Sequence, residues 1–342
     1  METTIGIDIG GANTKVASAD GKVSEIHYLP LWKDSALPNL LADIRERIKP
    51  DRVGVVLTGE LADCFESKIQ GIRFICDAVD CAFPERGSDA GRNDANGGNA
   101  GGSEVYYLNN RCKFVDRDDA SLAAANWAAS AGLIAQDYDC VFVDVGSTTT
   151  DIIPLAGGFA RAGWTDFERL QRDELVYSGV LRTNVATLLD RVDRVAPDGS
   201  GCRISSELFA ITADVYRVLG MIEDADYTCE TPDHAGTTVE DSMRRLARVV
   251  CADMDELRKH FVYEIADQVR EAQVLEIGRA IDAVLKRNRL DHVIGTGIGE
   301  FLIRDAVEGI GSVPCSFISD MYGADISKVF PAYAVARLVE SG

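Results

Sequence analysis

Two stretches of the chain end an apolar, β-branched run on an aspartate followed by a glycine turn: Ile5 to Val16, IGIDIGGANTKV, and Val141 to Ile153, VFVDVGSTTTDII. Each delivers one carboxylate, Asp8 or Asp144, to a strand end. Each then supplies a small turn, Gly10-Gly11 in the first and Gly146-Ser147-Thr148-Thr149 in the second. Without a Cβ in the way, backbone amides can approach an anion closely, and a strand-end carboxylate suits a hydrated Mg²⁺. The chemistry expected is polyphosphate binding, with one aspartate from each half on the same metal. Either stretch alone is also an ordinary β-hairpin with a glycine turn; the recurrence argues for two related halves.

The elements that must position these residues follow from the pattern. Asp20-Gly21 separates two further β-branched runs, so the N-terminus reads as a three-strand antiparallel meander. Apolar residues at helical spacing predict a helix over Leu37 to Ile48, stopped by Pro50. A strand over Arg52 to Leu57 ends in Thr58-Gly59-Glu60, polar residues at a strand end, where α/β proteins gather their functional groups. The plainer alternative is a strand-to-helix loop with Thr58 near a helix cap. A helix is expected over Ser67 to Phe83, a strand over Glu104 to Leu108, and an alanine-rich helix over Ala120 to Gln136, in which Asn126 and Trp127 suit packing. The segment 87–103, GSDAGRNDANGGNAGGS, has no large apolar residue to offset chain entropy and reads as a flexible surface insertion rather than a phosphate cradle.

The second half repeats the meander from Cys140, turning again at Gly157-Gly158. A helical stretch at Asp166 to Gln171 leads to Glu174 to Asn184, which groups Tyr177, Ser178, Arg182 and Thr183. Arg182 reads as a phosphate or carboxylate clamp, or as a surface arginine capping a loop. Helices are expected over Ser205 to Leu219, Thr238 to Cys251 and Met254 to Arg289, as an insertion lining a cleft. The strand His292 to Ile294, the turn Gly295-Thr296-Gly297-Ile298-Gly299, a helix over Glu300 to Val307, the strand Cys315 to Ile318 and a helix over Pro331 to Glu340 close the chain. The glycine turn lacks a ribose-binding acid about 20 residues on, so a nicotinamide enzyme is rejected.

Composition narrows the partners. With 35 basic and 55 acidic residues the formal charge is −20, which argues against nucleic acid or an anionic membrane and for small-molecule substrates. Nine cysteines, an odd number without a Cys-x-x-Cys pair, indicate neither a disulfide framework nor a zinc site. No apolar run is long enough to span a membrane, and METTIGIDIG is not a leader, so a cytoplasmic protein is expected. Oligomeric state is not legible.

Asp8-Ile9-Gly10-Gly11, Asp144 to Thr148 and Gly295-Thr296-Gly297 resemble, in order, the two phosphate motifs and the adenosine motif of the actin, heat-shock-chaperone and sugar-kinase superfamily. The resemblance implies an α/β protein of two ribonuclease-H-like lobes (actin-like ATPase fold), here 1–136 and 137–342, the second with a helical insertion at about 205–290. A narrower resemblance rests on Leu57 to Leu61, Asn126-Trp127, Asp144 to Asp151, Glu174 to Gly179 with Arg182-Thr183, Glu207 to Ala210 with Ala213 to Tyr216, and Arg245 to Arg248. In these the chain is similar to the methanofuran-biosynthesis synthase family, which is related to hydantoinases and oxoprolinases.

That family's chemistry implies condensation of an (aminomethyl)furanmethyl diphosphate with the phenol of γ-glutamyltyramine, forming an aryl ether and releasing pyrophosphate. It implies Mg²⁺ on Asp8 and Asp144, and diphosphate on Gly10, Gly11, Lys15, Gly146, Ser147, Thr148 and Thr149. Asn13 joins that set, although the family commonly has histidine there. Glu60 is the candidate base, Arg182 the clamp on the γ-glutamyl carboxylate, and Lys15 a further catalytic cation. Substrate or nucleotide contacts are assigned to Thr58, Gly59, Asn126, Tyr177, Ser178, Thr183, Gly295, Gly297 and Gly299. ATP is possible but not expected to be required. The alternatives are an ATP-dependent kinase or a hydantoinase/oxoprolinase-type enzyme, and, more remotely, a nucleotide-regulated scaffold.

Overall fold

A computed structural model describes residues 2–33, 36–85, 102–117, 119–196, 198–311 and 313–342. Most of the glycine-rich insertion, residues 87–101, lies outside them. In chain order the elements are β1 (Thr4–Ile9), β2 (Asn13–Ser18), β3 (Ser24–Tyr28), α1 (Leu37–Ile48), β4 (Arg52–Leu57), α2 (Lys68–Ala82), β5 (Glu104–Leu108), β6 (Phe114–Val115) and α3 (Asn126–Ile134). There follow β7 (Cys140–Val145), β8 (Thr150–Ala156), β9 (Phe159–Ala160), α4 (Asp166–Gln171), β10 (Leu175–Val176), β11 (Arg191–Val192), β12 (Cys202–Arg203), α5 (Thr212–Val218), α6 (Val239–Val249) and α7 (Lys259–Asn288). The chain ends with β13 (Val293–Thr296), α8 (Glu300–Ile310), β14 (Cys315–Phe317), α9 (Ile318–Tyr322), α10 (Ala324–Lys328) and α11 (Phe330–Ser341).

The strands form two mixed sheets of the same plan, β3-β2-β1-β4-β5 with β6 at its edge, and β10-β8-β7-β13-β14 with β9 beside β8. In the first, β1 pairs antiparallel with β2 and parallel with β4. In the second, β13 lies parallel between β7 and β14. This is the duplicated ribonuclease-H-like arrangement of the actin-like fold. β1 and β7, buried throughout, carry Asp8 and Asp144.

Two compact units result: 1–140 with 153–169 and 318–342, and 141–152 with 170–317. The division differs from a single cut after residue 136, because the chain's end returns to the first unit. Its cause is a pair of glycines. Gly6 and Gly54 face each other in the β1–β4 register, and α11 lies across both strands there. A Cβ at Gly6 would collide with the Ala332 carbonyl and stand 2.7 Å from Val335 Cγ1; one at Gly54 would stand 2.9 Å from Val335 Cγ2. Gly6→Ala is expected to cost about 3 kcal/mol, at the upper end of overpacking, because backbone rather than a flexible side chain must give way. Urea unfolding monitored by circular dichroism measures it.

Three expected helices are shorter than their sequence pattern. The alanine-rich stretch breaks at Ala124, whose φ is 48°, into a 3₁₀ turn at Ala120–Leu122 and α3. The break lets the Ala125 amide bond the Leu57 carbonyl at 3.1 Å, fastening the start of α3 to the end of β4. Residues 205–211 are not helical, because their backbone is committed elsewhere: Ser205 N–H to Val249 O at 2.9 Å, and Ala210 O to Val185 N–H at 3.1 Å. The true start of α5 is capped by Asp214, whose carboxylate accepts from the Ile211 amide at 3.1 Å. Likewise α7 begins at Lys259, not Met254.

The second unit's helices are joined by a buried charge network. Asp214 on α5 and Arg245 on α6, both 0% exposed, pair at 2.7 Å, and the Tyr227 hydroxyl and Asp233 complete it. Such a pair is expensive to break singly, because one charge is left buried alone.

Candidate functional site

The first unit gathers its candidate residues at the C-terminal ends of β1 and β4. Asp8 is buried, with Lys15 directly opposite on β2, so the two side chains share a face of the sheet. The turn after β1 is closed by Gly10 N–H donating to Asn13 O at 2.9 Å. The amides of Thr58 and Gly59 both donate to the Ile9 carbonyl, at 2.9 and 3.1 Å, which sets the end of β4 against this turn. Asn126, the first residue of α3, follows the Ala125 anchor on Leu57. Asn13 Oδ1 is buried without a hydrogen-bond partner among the described residues.

Glu60 stands out. It is 1% exposed, and its Oε2 has no partner among the described residues. Burial pushes its carboxyl up to about 7, opposed by its own backbone amide and by Lys68 and assisted by Asp166. A carboxyl poised there can exchange a proton at neutral pH.

The second unit repeats the arrangement with other residues. Gly146 N–H donates to Thr149 O at 2.9 Å, the same four-residue closure as Gly10 to Asn13. Gly299 N–H donates to the Val145 carbonyl at 3.0 Å, as Gly59 does to Ile9. Asp144 is buried, and Thr296 lies opposite it on β13. The following glycine, Gly297, has φ +97°, and a Cβ there would stand 2.5 Å from Asp144 Oδ1. Gly297→Ala is therefore expected to displace the carboxylate and to lower turnover about a hundredfold, the scale of an ångström's misplacement at a reacting centre. Steady-state rates set beside the melting temperature separate this from loss of fold.

The geometry revises the assignment of amide donors. The Gly10 and Gly146 N–H groups are consumed in closing the turns. Among the described residues, Gly11, Ala12, Ser147 and Thr148 make no backbone hydrogen bond through N–H. Each turn thus leaves two successive amides without a backbone acceptor, the donor pattern of an anion nest. Ala12 carries no sequence signal for this; the lack of a backbone acceptor for its amide follows from the turn's closure. Gly295 also departs from expectation: it lies within β13, and a Cβ there would press on the Phe317 ring at 3.0 Å, so it is a packing position.

The segment after β10 wraps the second turn. Val180 N–H donates to Gly146 O at 3.0 Å, and the amides of Leu181 and Arg182 donate to Ser147 O at 2.9 and 3.0 Å. The Arg182 guanidinium is directed to this turn, with Nη1 3.5 Å from Thr148 Oγ1. Ser178 is buried and accepts from Gln273 Nε2 of α7 at 2.7 Å, and Thr183 Oγ1 accepts from Gly179 N–H at 2.9 Å. Tyr177 is 67% exposed.

The residues present are hard oxygen donors, carboxylates and hydroxyls beside free amides, which fit magnesium and phosphate better than a soft metal. No group of three or more His, Cys, Asp or Glu side chains able to hold a metal occurs among the described residues, so substrate and water oxygens would complete any coordination. No helix among them is long and apolar enough to cross a membrane.

The family model described as hydantoinase/oxoprolinase matches residues 51–341. The (4-{4-[2-(γ-L-glutamylamino)ethyl]phenoxymethyl}furan-2-yl)methanamine synthase of Methanocaldococcus jannaschii is 36% identical over 346 aligned residues, covering 98% of this chain and 97% of that one. The protein of the same name from Methanococcus vannielii is 33% identical over 211 residues, 60% of this chain and 92% of that one. Among solved structures, a ROK family glucokinase from Streptomyces griseus aligns over 99% of this chain and 100% of that one, with 14% identity and a TM-score of 0.47.

Proposed function

We propose, from the premise that the chain belongs to the hydantoinase/oxoprolinase family and within it to the (4-{4-[2-(γ-L-glutamylamino)ethyl]phenoxymethyl}furan-2-yl)methanamine synthases, that this biosynthetic transferase joins an (aminomethyl)furanmethyl diphosphate to γ-glutamyltyramine. The relatives' name contains a phenoxymethyl link on a furan, so the bond to be made is between a phenol oxygen and the furan's exocyclic carbon. A diphosphate on that carbon is the leaving group that the duplicated turns suit. The observation that carries the reading is the pair of free-amide nests at Gly11-Ala12 and Ser147-Thr148, each following a buried aspartate.

The phenol oxygen attacks the exocyclic carbon, the carbon–oxygen bond to the diphosphate breaks, and its electron pair leaves on pyrophosphate. The furan oxygen can share the positive charge on the departing carbon, so the protein's main task is to bind the leaving group's charge and orient the phenol. The free amides, with Lys15, Thr148, Thr149 and Arg182, are assigned to the diphosphate oxygens. Glu60 is assigned the phenol's proton, since burial holds its carboxyl near neutrality. Asp8 in the first unit and Asp144 in the second are each assigned to magnesium through water; an ion bound at either would neutralise charge gathering on the leaving group.

Incubation of the two substrates with the purified protein tests the reading. Ether and pyrophosphate should appear in equal amounts, and the absence of both would end it.

A further inference from the structure

The second unit contains a cavity of ≈590 Å³ whose wall includes Leu175, Leu188, Tyr177, Ser178, Glu276 and Arg279. Its size is that of a pocket for one small molecule. One side is formed by the segment that also wraps the Gly146–Thr149 turn: Tyr177, Ser178 and Thr183 belong to the cavity, whereas Val180 to Arg182 hydrogen-bond the turn. The other side is α7. A ligand here would lie a few residues along the chain from the assigned diphosphate grip.

Glu276 and Arg279 are three residues apart on α7 and so share a face of the helix. They carry opposite charges, yet neither side chain makes an ion pair or a hydrogen bond among the described residues. Elsewhere on the same helix, comparable pairs are joined, Arg270 to Asp267 at 2.9 Å and Lys286 to Asp282 at 2.6 Å. The cavity thus offers an acceptor and a guanidinium fork on one helix face, with Leu175, Leu188 and a second carboxylate, Asp173, elsewhere in its wall. Both side chains are solvent-exposed, yet desolvation by their surroundings still pushes the Glu276 carboxyl up, which an ammonium partner would counter.

We infer that this cavity holds the γ-glutamyl head of the acceptor, with Arg279 on its α-carboxylate and Glu276 on its α-ammonium. The inference rests on the proposed function for the identity of the acceptor. A γ-linked glutamyl group keeps both α-substituents free and charged, and a forked guanidinium is the side chain best matched to a carboxylate. Tyr177 stands exposed at the mouth, where its ring offers a platform for the tyramine ring. Arg182, whose guanidinium lies 3.5 Å from the Thr148 hydroxyl, is assigned to the diphosphate instead.

Calorimetry on the full chain tests the assignment without turnover. γ-Glutamyltyramine should bind the wild type, and Arg279→Ala should weaken it by about tenfold or more, the scale of a lost charge-assisted hydrogen bond. Glu276→Gln should weaken it less. Tyramine, which lacks the head, should bind wild type and Arg279→Ala alike. Equal affinity of wild type and Arg279→Ala for γ-glutamyltyramine, or no binding by the wild type, would overturn the subsite. Ether synthesis assayed separately distinguishes the two ideas: binding as described without synthesis sinks the transferase reaction and keeps the subsite, and synthesis with an unaltered KM in Arg279→Ala does the reverse.

Discussion

Asp144→Asn is expected to lower pyrophosphate release by about a thousandfold while leaving the melting temperature close to that of the wild type. The substitution keeps the shape of a buried side chain packed against the Gly297 turn and removes only its charge. Loss of one preorganised electrostatic group at a departing oxyanion has consequences on this scale. Asp8→Asn in the first unit should behave similarly. A binding measurement separates this role from general damage. Wild-type protein should bind pyrophosphate tightly only with magnesium chloride present, whereas Asp144→Asn should bind it with little dependence on the salt of the metal. If Asp144→Asn retained more than about a tenth of the wild-type rate, the carboxylate would not be part of the leaving-group site.

The second large effect concerns Glu60. In its proposed role as base for the phenol it would have to be ionised, so kcat should rise with pH through about 7 and level off above it. Glu60→Gln should lose that limb and about a hundredfold or more in rate. The same burial has a stability consequence of opposite sense. The folded carboxyl titrates at about 7 against an ordinary 4.5, so between these values the native state holds a proton that the unfolded chain has lost. Stability should therefore fall as pH rises from about 4.5 to 7, by about 3 kcal/mol at about 1.4 kcal/mol for each unit of pKa. Glu60→Gln, neutral throughout, should melt higher than the wild type at pH 8 and equally at pH 4. A variant that gained stability yet kept full turnover would show Glu60 to be buried for reasons other than catalysis.

Much of the fold was legible because strand ends and turns have local signatures. The two meanders, the aspartates at the ends of β1 and β7, and the Thr58-Gly59-Glu60 turn all follow from β-branched runs interrupted by glycine. What local pattern could not give were the outcomes decided by distant backbone. Gly6 and Gly54 read as ordinary strand residues until α11 is laid across them. Residues 205–211 carry a good capping signal but give their amides and carbonyls to Val249 and Val185. Ala124 adopts a left-handed conformation inside an alanine run that propensity alone would make helical, because the Leu57 carbonyl at the end of β4 takes the next amide.

The site divides in the same way. The residue types at the two turns were readable, but not which amides remain free, since that depends on Asn13 and Thr149 closing back on Gly10 and Gly146. Glu276 and Arg279 resemble any solvated pair on a long helix; only the strand and loop packed beside them make a cavity there. Asp214 and Arg245, noticed as parts of family motifs, are the buried pair that holds α5 to α6.

A departing diphosphate is the centre of the proposed reaction, and phosphorus NMR of the purified protein with magnesium, the furan diphosphate, γ-glutamyltyramine and ATP in one tube tests it most directly. The predicted result is a growing pyrophosphate signal matched by loss of the furan diphosphate, with ATP unchanged. Appearance of ADP with the furan diphosphate intact would contradict it and assign the chain to phosphoryl-transfer chemistry.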